Sequence, residues 1–430
     1  MKFGKTHYVR EALSAGEGAE VSLAGWVYRK RDLGSVVFIV LRDSTGVIQV
    51  VVRENSSGPR ALEEARRAGI EASLKVRGRV RRDPRAPGGV EVLAESVELV
   101  GPSPDFPIKK DSGEEFLLDN RHLYVRSRRM WAIMRIRSSA IKAAREWFDS
   151  NGFTEVEAPT FVGAAVEGGA TLFGLEYFGK KAYLTQSSQF YLEALIYAFE
   201  NVYTIQPSFR AEKSRTRRHL TEFWHVEAEM AWCDLGGVMD VVEGLVHHMA
   251  EKVAEECQEE LEILGRRFEP PPRPFPRISY DEAVEIARRK GVDIEWGDDF
   301  GTEAERAVST EFDAPVFVHR YPKRAKAFYH MPDPERPEVV LCVDLLAPEG
   351  IGEIVGGGQR IHEEDLLLRR IREEGLNPKD YSWYVDLRRY GSVPHGGFGL
   401  GLERTVRWFA GLPHVRDAIP FPRTVTRLFP

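Results

Sequence analysis

Three groups of residues in this chain have the types and order to do chemistry. Phe209-Arg210-Ala211-Glu212 ends one apolar run, a loop with Lys213, Arg215, Arg217, Arg218 and His219 follows, and Glu222-Phe223 opens the next run. Guanidinium groups stay charged and their planar forks match pairs of phosphate oxygens, so a fixed Arg210, a basic loop and Arg404 could surround a triphosphate. Arg404 closes the second group, Gly397-Phe398-Gly399-Leu400-Gly401-Leu402-Glu403-Arg404. Alternating glycines strip one face of a strand, so a flat ring could lie on bare backbone with Phe223 stacked above it. The third group is Asp344 and Glu353, hard oxygen ligands suited to magnesium between phosphates. Each group also has a plainer reading: a glycine run packs strands closely, and the carboxylates pair with the arginines.

The elements that must hold these residues fall into two domains. The 430 residues suffice for two or three domains. Residues 1–101 read as a small barrel: β-branched runs at 21–28, 36–42, 47–53, 74–80 and 90–99, with a helix over 59–69 after the third. Five strands in that arrangement suit a barrel that binds oligonucleotides. Arg29-Lys30-Arg31 beside Trp26, Tyr28 and Phe38 offers phosphate attraction and a stacking surface, although an exposed turn over core aromatics would look the same. Residues 102–121, with Pro102, Pro104 and Pro107, read as a linker. From 122 to 430 the chain is α+β. A long helix over 126–151 leads to a short strand. A hairpin of strands at 202–210 and 223–232 carries the arginine loop, a helix spans 240–264, and the glycine strand returns last.

Composition bounds the class. Hydrophobic residues make up 43% and charged residues 29%, and the net charge of -6 gives no global pull toward nucleic acid, so any such binding must be local. Cys233, Cys257 and Cys342 have no metal-like spacing and read as reduced thiols of a cytoplasmic protein. No run of about 18 apolar residues occurs, so a membrane span is not expected.

Gly152-Phe153-x-x-Val156-x-x-Pro159, Phe209-Arg210-x-Glu212 with Arg218-His219-x-x-Glu222-Phe223, and Gly399-x-Gly401-x-Glu403-Arg404 resemble the three ordered motifs of class II aminoacyl-tRNA synthetases. The preceding barrel, with Gly25-Trp26-Val27 and Arg31-Asp32-Leu33-Gly34, resembles the aspartate, asparagine and lysine subgroup. The resemblance implies an OB-fold anticodon-binding barrel, an antiparallel catalytic sheet flanked by helices, and a homodimer built on the first motif. It also implies ATP bound bent over Mg2+. It puts Arg210 and Arg404 on the α- and γ-phosphates, Glu212 near the adenine amine and Phe223 on its ring. Arg218 and His219 fall on the outer phosphates, Leu220 and Gly401 beside the nucleotide, and Asp344 and Glu353 on the metal. Trp26, Arg29, Phe38 and Gln49 are placed on the anticodon, the last two at its middle base.

The same resemblance places Glu167, Ser187 and Gln189 on the substrate α-ammonium and Arg360 on its side-chain oxygen. In Gln189-Phe190-Tyr191-Leu192-Glu193 the aspartate branch resembles Gln-Leu-Tyr-Lys-Gln, whose lysine neutralises a substrate carboxylate. A Glu193 facing the substrate would repel a carboxylate and accept from an amide NH2, which favours asparagine and tRNA(Asn). Gly356, where archaeal-type aspartate enzymes usually have serine, agrees. Three alternatives remain: an aspartate enzyme charging both tRNAs, an asparagine-synthesising relative, which lacks the barrel, and a plain RNA-binding module.

Overall fold

The computed structural model describes residues 1–163, 171–213 and 216–430, which form two compact units, Met1–Leu117 and Leu118–Pro430. In the first, Glu20–Asp32, Val36–Asp43, Gly46–Arg53, Ser73–Arg82 and Val90–Gly101 close into a barrel, with the fifth strand lying between the third and the fourth. Alternation decides which side faces in: Val21, Leu23 and Val27, then Val37, Ile39 and Leu41, then Ile48, Val50 and Val52 fill the core. The helix over Glu54–Arg67 packs Ala61, Leu62 and Ala65 onto the barrel. It starts earlier than expected because a turn is fused to it across Gly58, at φ 80°, after which Pro59 opens the helix proper. The expected linker is not structureless throughout: Glu114–Asp119 is helical, with Glu114 and Glu115 in the first turn, where the helix dipole favours acids.

The second unit is built on an eight-stranded sheet. Its order is Arg277–Ser279, Val316–His319, Cys342–Ala347, Gly352–Gln359, His395–Gly401, Glu222–Ala231, Asn201–Phe209 and Thr154–Glu155. Both edge pairings are parallel and the six central strands are antiparallel, so the expected antiparallel sheet is corrected at its two margins. Helix Arg128–Ser150 begins where the Ser127 side chain accepts from the Met130 amide and buries Ile133, Ile136, Ala140 and Phe148. The helix expected at 240–264 is two, Leu235–Glu256 and Gln258–Leu264. Its earlier start follows from Asp234, which caps the Gly237 amide ahead of two glycines that hide the helical pattern. The apolar faces of these helices and the sheet share one large core.

A buried ion pair ties the long helix to the residues after the glycine strand. Arg137 on that helix lies 2.8 Å from Glu403, with side-chain exposures of only 9% and 2%. Glu403 also accepts from the Trp224 amide at 3.0 Å, and Arg137 donates to the Ala418 carbonyl at 3.0 Å. Removing one partner strands the other in the core. Arg137→Met should therefore lower unfolding free energy by about 3–5 kcal/mol, seen as a lower denaturant midpoint. The same variant combined with Glu403→Gln should recover much of the loss. An unchanged midpoint in the single variant would show that Glu403 finds other compensation.

Candidate active site

Two adjoining clefts open on one face of the sheet. The first, of about 570 Å³, is lined by Arg210, Glu212, Arg218, His219, Leu220, Phe223, Glu353, Gly401 and Arg404 among others. These are all nine residues expected around a nucleotide. The second, of about 1210 Å³, includes Ser187, Gln189, Asp344 and Arg360 and shares Arg210, Glu353 and Gly399 with the first. Glu167 and Arg215 lie outside the described residues.

The hairpin explains the basic end. Phe209 pairs with Glu222 and Ser208 with Phe223, so Arg210 leaves the strand end beside Phe223, its guanidinium 5.5 Å from the ring centre. Arg218 is held 2.6 Å from Glu305, a residue of the Thr302–Ser309 helix that sequence reasoning did not single out. Glu305 also accepts from the Glu353 amide at 2.6 Å, which fixes the start of the neighbouring strand. Burial, reinforced by Arg404, holds the His219 imidazole below its ordinary pKa, so it stays neutral among the arginines.

The glycine strand serves both of its readings, at different positions. A Cβ on Gly397 would stand 2.2 Å from the Ala228 carbonyl oxygen and 2.2 Å from Glu229 Cδ, so this glycine is required by packing. On Gly399 the nearest atom would be Glu227 Cγ at 3.6 Å, an ordinary contact, and Gly399 borders both clefts. It is bare surface available to a ligand.

Asp344 and Glu353 converge above Gly356, where a Cβ would come within 3.3 Å of Glu353 Oε1 and 3.5 Å of Asp344 Oδ1. Hard oxygens over a bare backbone fit a small dication. Among the described residues no group of three or more His, Cys, Asp or Glu is placed to hold a metal, so phosphate and water would supply the other ligands. Both carboxylates also have protein cations: Lys326 lies 2.6 Å from Asp344, and Arg404 3.1 Å from Glu353. Burial pushes the Asp344 carboxyl up to about 6 against the pull of Lys326. Burial acts on Glu353 in the same sense, but Arg404, Lys326 and Arg210 outweigh it and hold that group at about 2.

The far end of the second cleft corrects one expectation. Glu193 does not face the cleft; its neighbour Leu192 does. Glu193 is fully buried, accepts from Arg388 at 2.5 Å, from the Tyr384 hydroxyl at 2.8 Å and from the Gln189 side chain at 3.0 Å, and lies 2.9 Å from His395 Nε2. With its oxygens so engaged, it braces Gln189 from behind and cannot accept from a substrate. Besides Asp344, Glu353 and Asp299, the carboxylates that do line the cleft are Glu227 and Glu229. Glu227 accepts from the Ser187 hydroxyl and from the Ser188 amide, the latter at 2.8 Å. Glu229 is 2.6 Å from Arg360, and the two side chains are 1% and 3% exposed. Burial raises the Glu229 carboxyl in spite of Arg360. The sequence does carry a signal for these residues: His225, Glu227 and Glu229 alternate along a strand, which puts all three on one face.

The barrel presents a separate surface. Phe38 and Gln49 lie on neighbouring strands, in the outward set opposite the buried Val37, Ile39, Ile48 and Val50. Arg29, Val40, Gln49 and Glu91 follow one another across four strands, and the Gln49 side chain donates to Glu91 at 2.7 Å. Trp26 is 44% exposed with the Arg42 guanidinium 5.6 Å from its ring. Lys30, inside the basic cluster, is structural: its ammonium caps the carbonyls of Arg66 and Ala68 at 2.8 and 2.7 Å.

A family model described as tRNA synthetases class II (D, K and N) matches residues 113–425, and one described as an OB-fold nucleic acid binding domain matches residues 21–100. The asparagine--tRNA ligase of Thermococcus kodakarensis is 53% identical over 427 residues, 98% of this chain and 99% of its own. The crystal structure of asparaginyl-tRNA synthetase from Pyrococcus horikoshii complexed with asparaginyl-adenylate is similar at a TM-score of 0.96 and 52% identity, over 99% of each chain. Aspartyl tRNA synthetase from Entamoeba histolytica is similar at 0.88 and 28%, over 100% of this chain and 94% of that one.

The two glycine roles separate experimentally. Gly397→Ala must displace a neighbouring strand and should cost at least about 1–3 kcal/mol of stability. Gly399→Ala should fold with the parent's melting temperature yet bind ATP more weakly by calorimetry. Equal melting losses in both variants would reduce the strand to packing alone.

Proposed function

The chain belongs to the class II tRNA synthetases of the aspartate, lysine and asparagine group, and from that premise we propose that it ligates asparagine to tRNA(Asn) at the expense of ATP. The observation that carries the choice of amino acid is the Arg360–Glu229 pair at the end of the second cleft. An amide side chain offers one acceptor to the arginine and donors to a carboxylate, whereas a substrate carboxylate would find Arg360 already engaged by Glu229. The much higher identity to the asparagine-charging relatives than to the aspartyl one supports the same choice.

The reaction runs in two steps. The asparagine carboxylate attacks the α-phosphorus in line, the bond to the β-phosphate oxygen breaks, and pyrophosphate leaves with asparaginyl-adenylate behind. A terminal ribose hydroxyl of the tRNA then attacks the acyl carbon and AMP departs. No side-chain nucleophile is required; the protein orients the reactants and stabilises charge. Arg210 meets the charge that develops at the α-phosphate, and Arg404, Arg218 and His219 meet the outer phosphates. Phe223 and the bare Gly399 surface sandwich adenine, and Glu212 accepts from its amine. Ser187 and Gln189 hold the ammonium end with Glu227, and Glu167 is assigned there by resemblance alone. Mg2+ would rest on Asp344 and Glu353 and supply charge for the phosphate oxygens.

Trp26, Arg29, Phe38 and Gln49 would receive the anticodon on the barrel's outer face. A homodimer on the first motif is supported by an exposed patch beside the long helix, where Trp232, 71% exposed, shares a groove with Trp147 and Phe153. Among the described residues no helix is long and apolar enough to cross a membrane. With three unpaired cysteines, a cytoplasmic location fits.

ATP–pyrophosphate exchange driven by asparagine and not by aspartate is the deciding measurement; preference for aspartate would overturn the assignment. In the same assay Arg210→Ala should fall by roughly two orders of magnitude or more. For the barrel, base stacking is worth about 1–3 kcal/mol, so Phe38→Ala should weaken tRNA charging while leaving exchange intact. Equal damage to both activities would mark Phe38 as a packing residue.

A further inference from the structure

Lys326 has no part in the roles assigned above, yet it sits at the carboxylates expected to take the metal. It follows the short turn Lys323–Ala325 in extended backbone, which carries its side chain into the second cleft. Its ammonium lies 2.6 Å from Asp344 Oδ2 and 4.0 Å from the centre of the Tyr321 ring, so a carboxylate and an aromatic face hold it in place. The contact is on one side only. The other oxygen of Asp344, Oδ1, faces the space over Gly356 toward Glu353 Oε1. Lys326 thus leaves the metal-facing oxygen open while cancelling the charge behind it.

Arg404 does the same for Glu353, through Oε2 at 3.1 Å. The two carboxylates and two cations therefore cancel. Arg210 and Asp299, on the same wall, add one charge of each sign, and an oxygen of Asp299 is already taken by the Phe300 amide at 3.0 Å. A free dication arriving here finds two oxygen ligands whose charges Lys326 and Arg404 already match, which is a poor site. A triphosphate changes both terms, because it brings several negative charges and further oxygen ligands.

We propose that Lys326 is a fixed counter-cation for Asp344, so that the carboxylate pair takes a divalent cation only together with the triphosphate. The consequence is an ordered site: no metal is stranded on the carboxylates before the nucleotide arrives, and the metal is released with pyrophosphate. The inference rests on the nucleotide reading of these clefts. Its test needs neither amino acid nor turnover, so its failure leaves asparagine-dependent exchange to be judged separately.

Mn2+ titration of the full-length protein, followed by electron paramagnetic resonance, reads the effect directly. Without nucleotide the parent should bind Mn2+ at least about tenfold more weakly than in the presence of a non-hydrolysable ATP analogue, since unscreened charge is the main attraction for such an ion. Lys326→Met should tighten nucleotide-free binding by at least about tenfold, and adding Asp344→Asn should return it to the parent value. Near-UV circular dichroism matching the parent establishes that the variant is folded. A folded Lys326→Met that binds Mn2+ no more tightly than the parent overturns the proposal. If that variant does not fold, the parent decides alone: equal Mn2+ affinity with and without the analogue also overturns it.

Discussion

The Arg360–Glu229 pair is the interaction from which the geometry of the second cleft follows. Glu229 lies on Glu222–Ala231 and Arg360 directly follows Gly352–Gln359, strands that are not neighbours because His395–Gly401 runs between them. They meet because Gly397, which pairs with Glu229 on one side and Gly358 on the other, has no side chain to separate them. A Cβ there would occupy the carboxylate's own position, 2.2 Å from Glu229 Cδ. The bare strand is thus a requirement of the ion pair as well as the surface proposed for a nucleotide. Burying both charges is tolerable only because each compensates the other.

The same constraint repeats outward in layers. Behind the cleft, Glu193 is matched by Arg388; at its phosphate end, Arg218 is matched by Glu305 and Glu353 by Arg404. Each of these charged side chains is held by one of opposite sign, and the holding partner often comes from a different part of the chain. Glu305 shows what this does for the segment between Arg277–Ser279 and Val316–His319. Its carboxylate reaches both Arg218 and the Glu353 amide, so a helix remote in sequence sets two groups of the first cleft.

Much of this architecture is legible in the residue pattern alone. Strand alternation locates the barrel core, and the nine residues expected around a nucleotide converge because they sit at strand ends, in one hairpin loop and in the first turn of the Leu402–Phe409 helix, where local pattern and position coincide. Direction is harder to read. Glu193 is one residue beyond Leu192 on a helix, a rotation of about 100°, enough to turn the side chain from the cleft into the core. Resemblance to a motif locates such a position without saying which way it points. Glu305 and Lys326 are illegible for another reason: each acts through a partner far away in sequence, at Arg218 and at Asp344, and no local spacing records that. The helix start at Leu235 is hidden by Gly236 and Gly237, whose low helix propensity is offset by the Asp234 cap.

The pairing of cleft charges also bears on how close relatives can prefer an amide or an acid on one scaffold. An arginine at the end of the amino-acid cleft does not by itself select an anion, because Glu229 has already claimed Arg360. What a substrate meets is the sum of the pair and its neighbours, here Glu227 with its Ser187 and Ser188 donors. On the proposed reading a neutral side chain can exchange hydrogen bonds with both members of the pair without disturbing their balance. An anion would have to displace Glu229 from Arg360 or bring a proton with it. Selectivity then lies less in any single contacting residue than in whether the cleft has a cation to spare, and a change of one charge among its partners would suffice to alter it.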